Sequence, residues 1–284
     1  MPELPEVETI RRHLAPFVEG RVLERMEILD PRWSDPADPN TLQDAVAGRR
    51  IERLGRRGKY LIWSLDDEVH VVMHLRMTGN LLLVAGDERP PYTRVLLELD
   101  SGEAIAFTDP RRFGTGVVLL GDDALEDYFT SRLGVEPLSP DFTTDALRAL
   151  ARNRKQPVKA FLLNQERLAG VGNIYADEAL FKARIHPERP VGTLKRDQLD
   201  ALREAVIESL EAGIDSRGAS IDDYRQPDGA EGMFQTKFQV HLREGEPCIR
   251  CGTTIKKMRS AGRGTYVCET CQPRPRRRRQ TARP

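Results

Sequence analysis

The 284-residue sequence lacks the features that mark membrane, secretory and repeat proteins. It has no apolar run near the roughly 18 residues that a transmembrane helix needs. Its N-terminus shows no basic segment followed by an apolar one, which argues against a secretory signal. No internal repeat is visible, and cysteine is absent from the first 247 residues. We therefore expect a cytoplasmic protein of about two domains that does not enter a membrane.

Net charge of either sign is also absent, but the charges are unevenly distributed. Basic and acidic side chains number 44 each, yet residues 241–284 carry 12 Lys and Arg against 3 Asp and Glu. A basic end on an acidic chain is typical of a segment that meets a polyanion. Residues 273–284 are rich in Arg and Pro, which predicts a disordered basic tail. This tail either adds salt-sensitive affinity for nucleic acid or only improves solubility.

All four cysteines lie within 24 residues, as two C-x2-C pairs separated by 16 residues. Each pair can present two thiolates to one ion, and the intervening hairpin can bring the pairs together. Two disulfides are the alternative, which a reducing compartment disfavours. Four thiolates leave no open position for water, so we predict one structural zinc ion. Its ligands are Cys248, Cys251, Cys268 and Cys271.

The predicted secondary structure changes from strands to helices near residue 134. Residues 5–18 predict a helix, in which Val7, Ile10, Leu14 and Phe17 recur at helical spacing and should face a core. Short apolar runs separated by turns then continue to residue 120 and predict a β-sandwich or barrel. Residues 134–142, GVEPLSPDF, are predicted to form a linker. After it, helices are predicted over residues 144–153, 157–163, 174–181 and 196–212.

The first residues, MPELPEVE, favour either a helix start or a catalytic terminus. Removal of Met1 is expected because the next residue is small, and it would expose the secondary amine of Pro2. An α-amino group titrates at roughly 7.7–8.0, so part of it is neutral near pH 7 and can attack a sugar C1′. Glu3 and Glu6 are close enough in sequence to exchange protons with it. The alternative is that Pro5 and the acids only begin a helix.

Four separated motifs carry a resemblance to a known family. MPELPEVE, DPRRFG, LAGVGNIYADEALF and CIRCGTTIKKMRSAGRGTYVCETCQ occur in this order. Together they resemble the formamidopyrimidine-DNA glycosylase and endonuclease VIII family over residues 1 to about 272. The resemblance implies a multidomain α+β fold with an N-terminal β-sandwich, a helix–two-turn–helix domain and a C-terminal β-hairpin zinc ribbon. The implied limits are 1–133 for the N-terminal helix and sandwich, 134–237 for the helical domain with a lesion-covering loop at 217–235, 238–272 for the ribbon and 273–284 for the tail.

The resemblance also implies catalytic roles. Pro2 matches the nucleophile that forms a Schiff base, Glu3 the general acid or base near the sugar, and Glu6 a supporting carboxylate. Lys59 in RRGKYL matches the lysine placed near the scissile phosphate, although a basic residue leading a strand is the alternative. Arg263 in GRGT matches the arginine that reaches phosphates beside the lesion.

Further residues match contacts to DNA. Met77, Arg111 and Phe113 resemble the set that fills the void left by a flipped base; for Met77 and Phe113 the alternative is a place in the core. Asn173 follows two glycines at a predicted helix start, where it either binds phosphate or serves as an N-cap.

Two other groups of residues are candidates for contacts to the DNA backbone. Arg154, Lys155 and Lys159 form a basic cluster, whose alternative is a solvated helix face. Tyr92 stands with Arg94 where the family often has histidines, so this contact departs from the usual one.

The loop at 217–235 bears on the substrate. It keeps Ser220, Tyr224 and a G-x-x-G-x-F-Q end, and its backbone N–H groups are expected to contact O6 of an oxidised purine. The implied function is a monomeric, bifunctional DNA glycosylase and abasic-site lyase of base excision repair. It would remove 8-oxoguanine and formamidopyrimidines from double-stranded DNA and nick by β,δ-elimination. The alternatives are an endonuclease VIII-like enzyme for oxidised pyrimidines and a non-catalytic zinc-ribbon module that binds DNA.

Overall fold

The computed structural model describes residues 1–86, 88–221 and 223–275. They form two compact units. The first contains residues 1–136 and 210–237, and the second contains residues 137–209 and the remaining described chain from 238. The domain limits implied by the resemblance stay predictions. The predicted basic tail, residues 273–284, lies outside the described residues from its fourth residue, 276, onward. None of the described helices combines the length and apolar character needed to cross a membrane.

Helix α1 (Leu4–Val18) opens the first unit, one residue before its predicted start. Glu3 is the N-cap, and a capping box joins it to Glu6, whose carboxylate accepts a hydrogen bond from the Glu3 backbone N–H at 2.8 Å. Pro5 is the second helical residue, where its missing N–H leaves no intrahelical bond unmade. The chain entry into α1 is therefore fixed by two reciprocal bonds.

One face of α1 packs into the core of the first unit. Val7, Ile10 and Leu14 are fully buried, as the periodicity predicted. The prediction for Phe17 was wrong: this side chain is 38% exposed and stacks on His13 with ring centroids 6.2 Å apart. Val18 is fully buried and ends the inner row.

Eight antiparallel strands follow, in the spatial order β5-β7-β6-β1-β2-β3-β4-β8. Strands β1 and β2 pair over only two residues each, so the array divides into two four-stranded halves. Apolar side chains from both halves pack in one core, which confirms the predicted β-sandwich. The strands are β1 (Val22–Ile28), β2 (Arg49–Arg57), β3 (Tyr60–Leu65), β4 (Val69–His74), β5 (Asn80–Ala85), β6 (Thr93–Leu99), β7 (Glu103–Thr108) and β8 (Thr115–Leu120).

Two helices of the first unit, one inside the β-rich region and one directly after it, were not predicted from the sequence. Helix α2 (Pro39–Val46) begins after Asp38, whose carboxylate accepts a hydrogen bond from the Asn40 N–H at 2.8 Å. Helix α3 (Asp122–Thr130) follows β8 directly. Both are short, and the proline-rich segment before α2 hides its start.

The second unit contains the predicted helices and the hairpin with the cysteines. Its hairpin turns at Ala261 and Gly262, which both have positive φ, as the type I′ form of the two-residue hairpin turn requires. The elements are α4 (Thr144–Ala151), α5 (Val158–Leu162), α6 (Asn173–Lys182), α7 (Arg196–Asp215), β9 (Lys256–Ser260) and β10 (Arg263–Val267); the last six residues of α7 belong to the first unit.

Candidate active site

The N-terminal residues form a buried cluster in the first unit. Pro2 is buried, and Glu3 and Glu6 are only 2% and 1% exposed. The two oxygens of Glu6 face different segments: Oε2 accepts from the Glu3 N–H and Oε1 accepts from the Ala219 N–H, each at 2.8 Å. One carboxylate thus joins the residue next to Pro2 to the start of the loop at 217–235.

This loop can approach Glu6 because residue 218 is glycine. Gly218 has φ +81°, and an added Cβ would lie 2.9 Å from Glu6 Cγ and 2.9 Å from the Tyr224 ring. Tyr224 packs into the core, where burial and the negative charge of Glu6 raise its pKa above the ordinary value. Its neutral hydroxyl donates a hydrogen bond to the Arg217 carbonyl at 3.3 Å.

Inside the loop, Ser220 makes three hydrogen bonds. Its backbone N–H donates to Oε1 of Gln235 at 3.0 Å, its hydroxyl donates to the Tyr224 carbonyl at 2.7 Å, and the hydroxyl oxygen accepts from the Gly232 N–H at 2.9 Å. The Ser220 N–H is thus bonded within the loop in this structure, and the expectation that loop N–H groups contact O6 of an oxidised purine stays a prediction.

Lys59 lies in the tight turn between β2 and β3 and is 6% exposed. Glu136 fixes this turn by accepting hydrogen bonds from the Gly58 N–H and, at 3.1 Å, from Arg56. Arg56 also donates to the Gly58 carbonyl at 2.9 Å. The lysine is thus presented by a turn that two side chains hold rigidly, rather than standing on an open strand.

The positive charge of Lys59 also acts on the pKa of His74. Burial, followed by the positive charges of Arg76 and Lys59, lowers the pKa of His74 to about 3. His74 Nδ1 accepts a hydrogen bond from the Arg76 N–H at 2.9 Å. The imidazole is consequently neutral and supports the start of the turn that carries Met77.

Glu8 forms a second charged group on α1. Its carboxylate pairs with Arg11 and Arg12 at 2.7 Å and with Arg56 at 3.1 Å. Burial acts to raise the pKa of Glu8, but the hydrogen bonds from Arg11 and Arg12, together with the charges of Arg11 and Arg56, outweigh it and lower the pKa to about 2. Because Arg56 also bonds Glu136, this network ties α1 to the Lys59 turn.

The three predicted void-filling residues are exposed and lie on two neighbouring turns. Met77 is 37% exposed and Phe113 is 51% exposed, which rules out the core alternative for both. The guanidinium of Arg111 stacks over the Phe113 ring at 4.9 Å. Their position depends on Asp109, which is fully buried and accepts a hydrogen bond from the Thr78 hydroxyl.

Asp109 also organises its own turn. Its carboxylate accepts from the backbone N–H groups of Arg111 at 3.2 Å, Phe113 at 2.8 Å and Gly114 at 2.7 Å. Asp109 belongs to the DPRRFG motif, but no role for it was predicted from the sequence. Its three backbone bonds, together with the bond from Thr78, hold the two turns in one fixed arrangement.

Tyr92 and Arg94 lie beside that turn. Tyr92 is 59% exposed with φ +66°, and its carbonyl accepts from the Asp109 N–H at 3.0 Å. Arg94 Nε donates to the Asp109 carbonyl at 2.9 Å. Arg94 therefore supports the turn, while Tyr92 is the residue available at the surface.

In the second unit, Asn173 and the turn with Arg263 are brought together. Gly172 is the N-cap of α6, so Asn173 is the first helical residue and the N-cap alternative is wrong. The Asn173 amide donates to the Gly264 carbonyl at 3.1 Å. Arg263, the preceding residue, is exposed at the start of β10.

Lys159 requires a correction. The prediction of a DNA contact is wrong for this residue, because its side chain is fully buried. Its amine pairs with Asp177 at 2.7 Å and donates to the Thr265 hydroxyl at 2.6 Å and to the Gly264 carbonyl at 3.3 Å. Lys159 therefore supports the turn that carries Arg263 through these buried contacts. In the same cluster, Arg154 is half-buried and donates to the Leu150 carbonyl in the last turn of α4, whereas Lys155 is exposed.

Asp177 is the centre of this buried group and was missed. Its second oxygen lies 2.8 Å from Nδ1 of His241. The neighbouring Glu178 accepts backbone hydrogen bonds from Gln239, Val240 and His241 at 2.9–3.0 Å. The two adjacent acids of the YADEALF motif thus hold the chain just before the ribbon, and two acids inside an apolar helix were the available signal.

The four cysteines form one metal site. Their sulfur atoms all lie within 4.8 Å of one another. The pairs Cys251–Cys268 and Cys248–Cys271 are 3.5 and 3.8 Å apart, close to the roughly 3.8 Å edge of a tetrahedron with Zn–S bonds of about 2.3 Å. The cysteines form no disulfide. The donor set fits one structural zinc ion with four thiolates, as predicted.

Three family models match the chain in sequence order. Residues 1–116 match the formamidopyrimidine-DNA glycosylase N-terminal domain. Residues 133–225 match the H2TH domain of the same glycosylase, and residues 245–274 match a zinc finger found in FPG and IleRS. Together these matches cover most of the chain.

Whole-chain relatives agree. The chain is 43% identical over 276 residues to formamidopyrimidine-DNA glycosylase of Heliobacterium modesticaldum, covering 96% of this chain and all of the relative. The crystal structure of MutM (Fpg) from Thermus thermophilus is similar with a TM-score of 0.87 and 42% identity, covering 97% of this chain and all of that one. A Lactococcus lactis FPG mutant in complex with Fapy-dG containing DNA is similar with a TM-score of 0.90 and 35% identity over 96% of this chain and all of that one. Other complexes of the L. lactis protein contain an abasic site or an oxidised pyrimidine.

Proposed function

The chain belongs to the formamidopyrimidine-DNA glycosylase family, and on this premise we propose that it removes 8-oxoguanine and formamidopyrimidines from double-stranded DNA and then nicks the strand. It is a DNA glycosylase, and abasic-site lyase activity is the second activity typical of its family. We further propose that it acts as a monomer on the DNA of the cytoplasmic nucleoid.

The reaction begins at the mature N-terminus. After Met1 is removed, the neutral amine of Pro2 attacks C1′ of the damaged nucleotide, and the bond from C1′ to the base breaks as the new C–N bond forms. The departing base takes up a proton, which we assign to a donor such as Glu3. The Pro2 nitrogen then loses its proton, and the C1′–O4′ bond breaks as O4′ takes up a proton, which opens the sugar ring and leaves an iminium between Pro2 and C1′. The iminium acidifies C2′, so loss of that proton permits β-elimination of the 3′ phosphate and then δ-elimination of the 5′ phosphate. Hydrolysis frees Pro2 and leaves a one-nucleotide gap with phosphate ends.

Each unit supplies its own contacts to DNA in this proposal. In the first unit, Met77 and Phe113 enter the space left by the extruded nucleotide, and Arg111 bonds the base opposite. Lys59 acts beside the scissile phosphate. In the second unit, Asn173 and Arg263 bind backbone phosphates, and the zinc ion holds the hairpin that presents Arg263.

The observation that carries the proposal is the placement of Glu6. Its carboxylate bonds the residue next to Pro2 on one side and the start of the substrate loop on the other, at 2.8 Å each. A helix start alone has no need of the second bond. The arrangement supports a terminus that is held where a covered base would present C1′.

Borohydride trapping on an 8-oxoguanine duplex tests the nucleophile. Wild type should form a covalent adduct, and Pro2→Gly should lose it. Pro5→Ala is the matched control, because this proline lies three residues further on at the second position of α1 and should keep trapping. Intact mass should show that Met1 is absent from active protein. A Pro2→Gly protein that trapped as well as wild type would contradict the assignment.

The alternative substrate class has one observation in its favour, since an L. lactis relative was crystallised with an oxidised pyrimidine. Comparing excision of thymine glycol with excision of 8-oxoguanine separates the two. We expect faster excision of 8-oxoguanine. DNA binding without nicking of any lesion duplex would instead indicate the non-catalytic module.

A further inference from the structure

We propose that Asn80 is a positioning residue for base excision: its amide clamps the lesion-covering loop onto strand β5, so that it governs removal of a base but not nicking at a site that has already lost one. This inference rests on the proposed function. It concerns residues of the first unit only.

Asn80 is the first residue of β5 and is 7% exposed. Its amide nitrogen donates to the Asp223 carbonyl at 2.8 Å, and its amide oxygen accepts from the Arg225 N–H at 2.9 Å. The bonds go to the backbone of two loop residues that flank Tyr224. The Asn80 amide thus offers one donor and one acceptor, as the backbone of a neighbouring strand would, and it holds the loop at two points.

The contact continues along the strand. β5 is an edge strand of the eight-stranded array, so its outer backbone groups have no neighbouring strand. At Leu83, the backbone N–H donates to the Pro227 carbonyl at 2.9 Å. The loop therefore lies along the outer edge of β5 from residue 223 to 227, with Asn80 at one end and Leu83 at the other.

The chemistry of the contact requires an amide of this length. One atom of the side chain donates and the other accepts, which Asn provides and Asp, Leu and Ser do not. Asp keeps the acceptor for the Arg225 N–H but places a second oxygen against the Asp223 carbonyl. Leu has a similar shape and offers neither bond.

The same short segment also carries the void-filling residue. Met77 precedes Asn80 by three residues, and Thr78 between them bonds the buried Asp109, which fixes the Phe113 turn. The loop over the base and the side chains that replace it are thus attached to one turn through Asn80 and Thr78. A base held out of the duplex would be covered by the loop while the void-filling side chains occupy the space that it left.

The two half-reactions depend differently on this clamp. Excision needs the damaged base to be held against the loop while C1′ is attacked, and a small misplacement of the bound group can cost orders of magnitude in rate. An abasic site has no base for the loop to cover, so nicking there needs only Pro2 and the groups around the sugar and phosphates. A residue that merely stabilised the fold would affect both reactions equally.

The test compares single-turnover excision of 8-oxoguanine with nicking of a preformed abasic duplex for Asn80→Leu, Asn80→Asp and Arg225→Ala. Asn80→Leu should slow excision by roughly ten-fold or more while nicking changes by less than about two-fold. Asn80→Asp should show the same selective loss to a smaller extent. Arg225→Ala is the matched control, because it removes the 3.1 Å ion pair with Glu231 but keeps the backbone N–H that Asn80 holds.

Thermal melting accompanies each assay, and Asn80→Asp carries the test if Asn80→Leu does not fold. Equal losses of excision and nicking in the folded variants, or no loss of either, overturn the role of Asn80. Failure of the proposed function looks different, because wild type itself would then neither excise 8-oxoguanine nor nick the abasic duplex.

Discussion

The lesion-covering loop in the first unit and the Arg263 turn in the second are held in opposite ways. The Glu6 carboxylate bonds the start of the loop at the Ala219 N–H. Beyond that point the loop is bonded by neutral groups, namely the amides of Asn80 and Gln235 and the hydroxyl of Ser220, which bond backbone atoms. The turn is supported by a buried ion pair of Lys159 and Asp177, and its hairpin by the four-cysteine metal site.

Because of this difference, the lesion-covering loop is suited to opening, whereas the Arg263 turn is suited to staying in place. A neutral hydrogen bond contributes roughly 0.5–1.5 kcal/mol, so bonds of the loop can be exchanged one at a time for water. Removing one partner of a buried ion pair costs about 3–5 kcal/mol because the other charge is left uncompensated. The protein can therefore admit a base under the loop without disturbing the turn that we propose binds the backbone.

The largest effect is expected when the charged support is broken. Asp177→Asn leaves the amine of Lys159 buried beside a neutral group and should lower the free energy of unfolding by about 3–5 kcal/mol. Urea denaturation measures it. The double variant Lys159→Met with Asp177→Leu is the control and should regain most of the loss. A single variant as stable as wild type would show that the pair is not the support described.

The charged network around Glu8, in the first unit, extends the comparison, because its contribution to stability should depend on pH. Glu8 has its pKa lowered to about 2, so it stabilises the fold above its unfolded pKa near 4.5, and this stabilisation disappears as the pH falls toward 2. Glu8→Gln should cost about 2 kcal/mol at pH 7, less than at Asp177 because Arg12 is largely exposed.

Urea denaturation at pH 7 and at pH values between 4.5 and 2.5 checks this behaviour. The difference between wild type and Glu8→Gln should shrink across that acidic interval. A difference that is constant with pH would mean that the lost interaction is not ionic.

The smallest effect on stability is expected in the loop, with a larger one on activity. An added Cβ at Gly232 would lie 2.3 Å from the Gly218 carbonyl oxygen, so Gly232→Ala should displace the loop at a cost of about 1–2 kcal/mol. Excision of 8-oxoguanine should fall, whereas nicking of an abasic duplex should persist. At Gly229 the φ is +83° but nothing lies within 4 Å, so Gly229→Ala strains the backbone without a clash and should spare excision. Equal excision by both variants would count against the loop's role.

The sequence predicted well those features that depend on local pattern. Cysteine spacing is enough to predict the metal site, and helical spacing gave the buried face of α1 except at its last turn. The motif resemblance brought Glu6 into the candidate site, but not its bond to Ala219, 213 residues later. Sequence alone could not predict that pairing, because it depends on how distant segments pack.

Two of the misses, at Lys159 and Asn80, have the same origin. Lys159 looks like a surface base until Asp177 and Thr265 meet it, 18 and 106 residues further along the chain. Asn80 looks like the start of an ordinary strand until the loop lies beside it. Helix α2 was hidden because the prolines before it signal a loop, although Pro39 itself occupies a favoured place in the first helical turn.

The bond between Glu6 and Ala219 also has a consequence for biosynthesis. Translation delivers Pro2 and Glu6 first, and the ribosome must add 213 more residues before the partner of Glu6 exists. At about 5–20 residues per second this takes on the order of 10–40 seconds. During that interval the amine that we propose as nucleophile lacks the loop beside it, while aminopeptidase has time to reach Met1. A nascent chain would thus be processed before it is competent, and its maturation would end only as the last quarter of the polypeptide emerges.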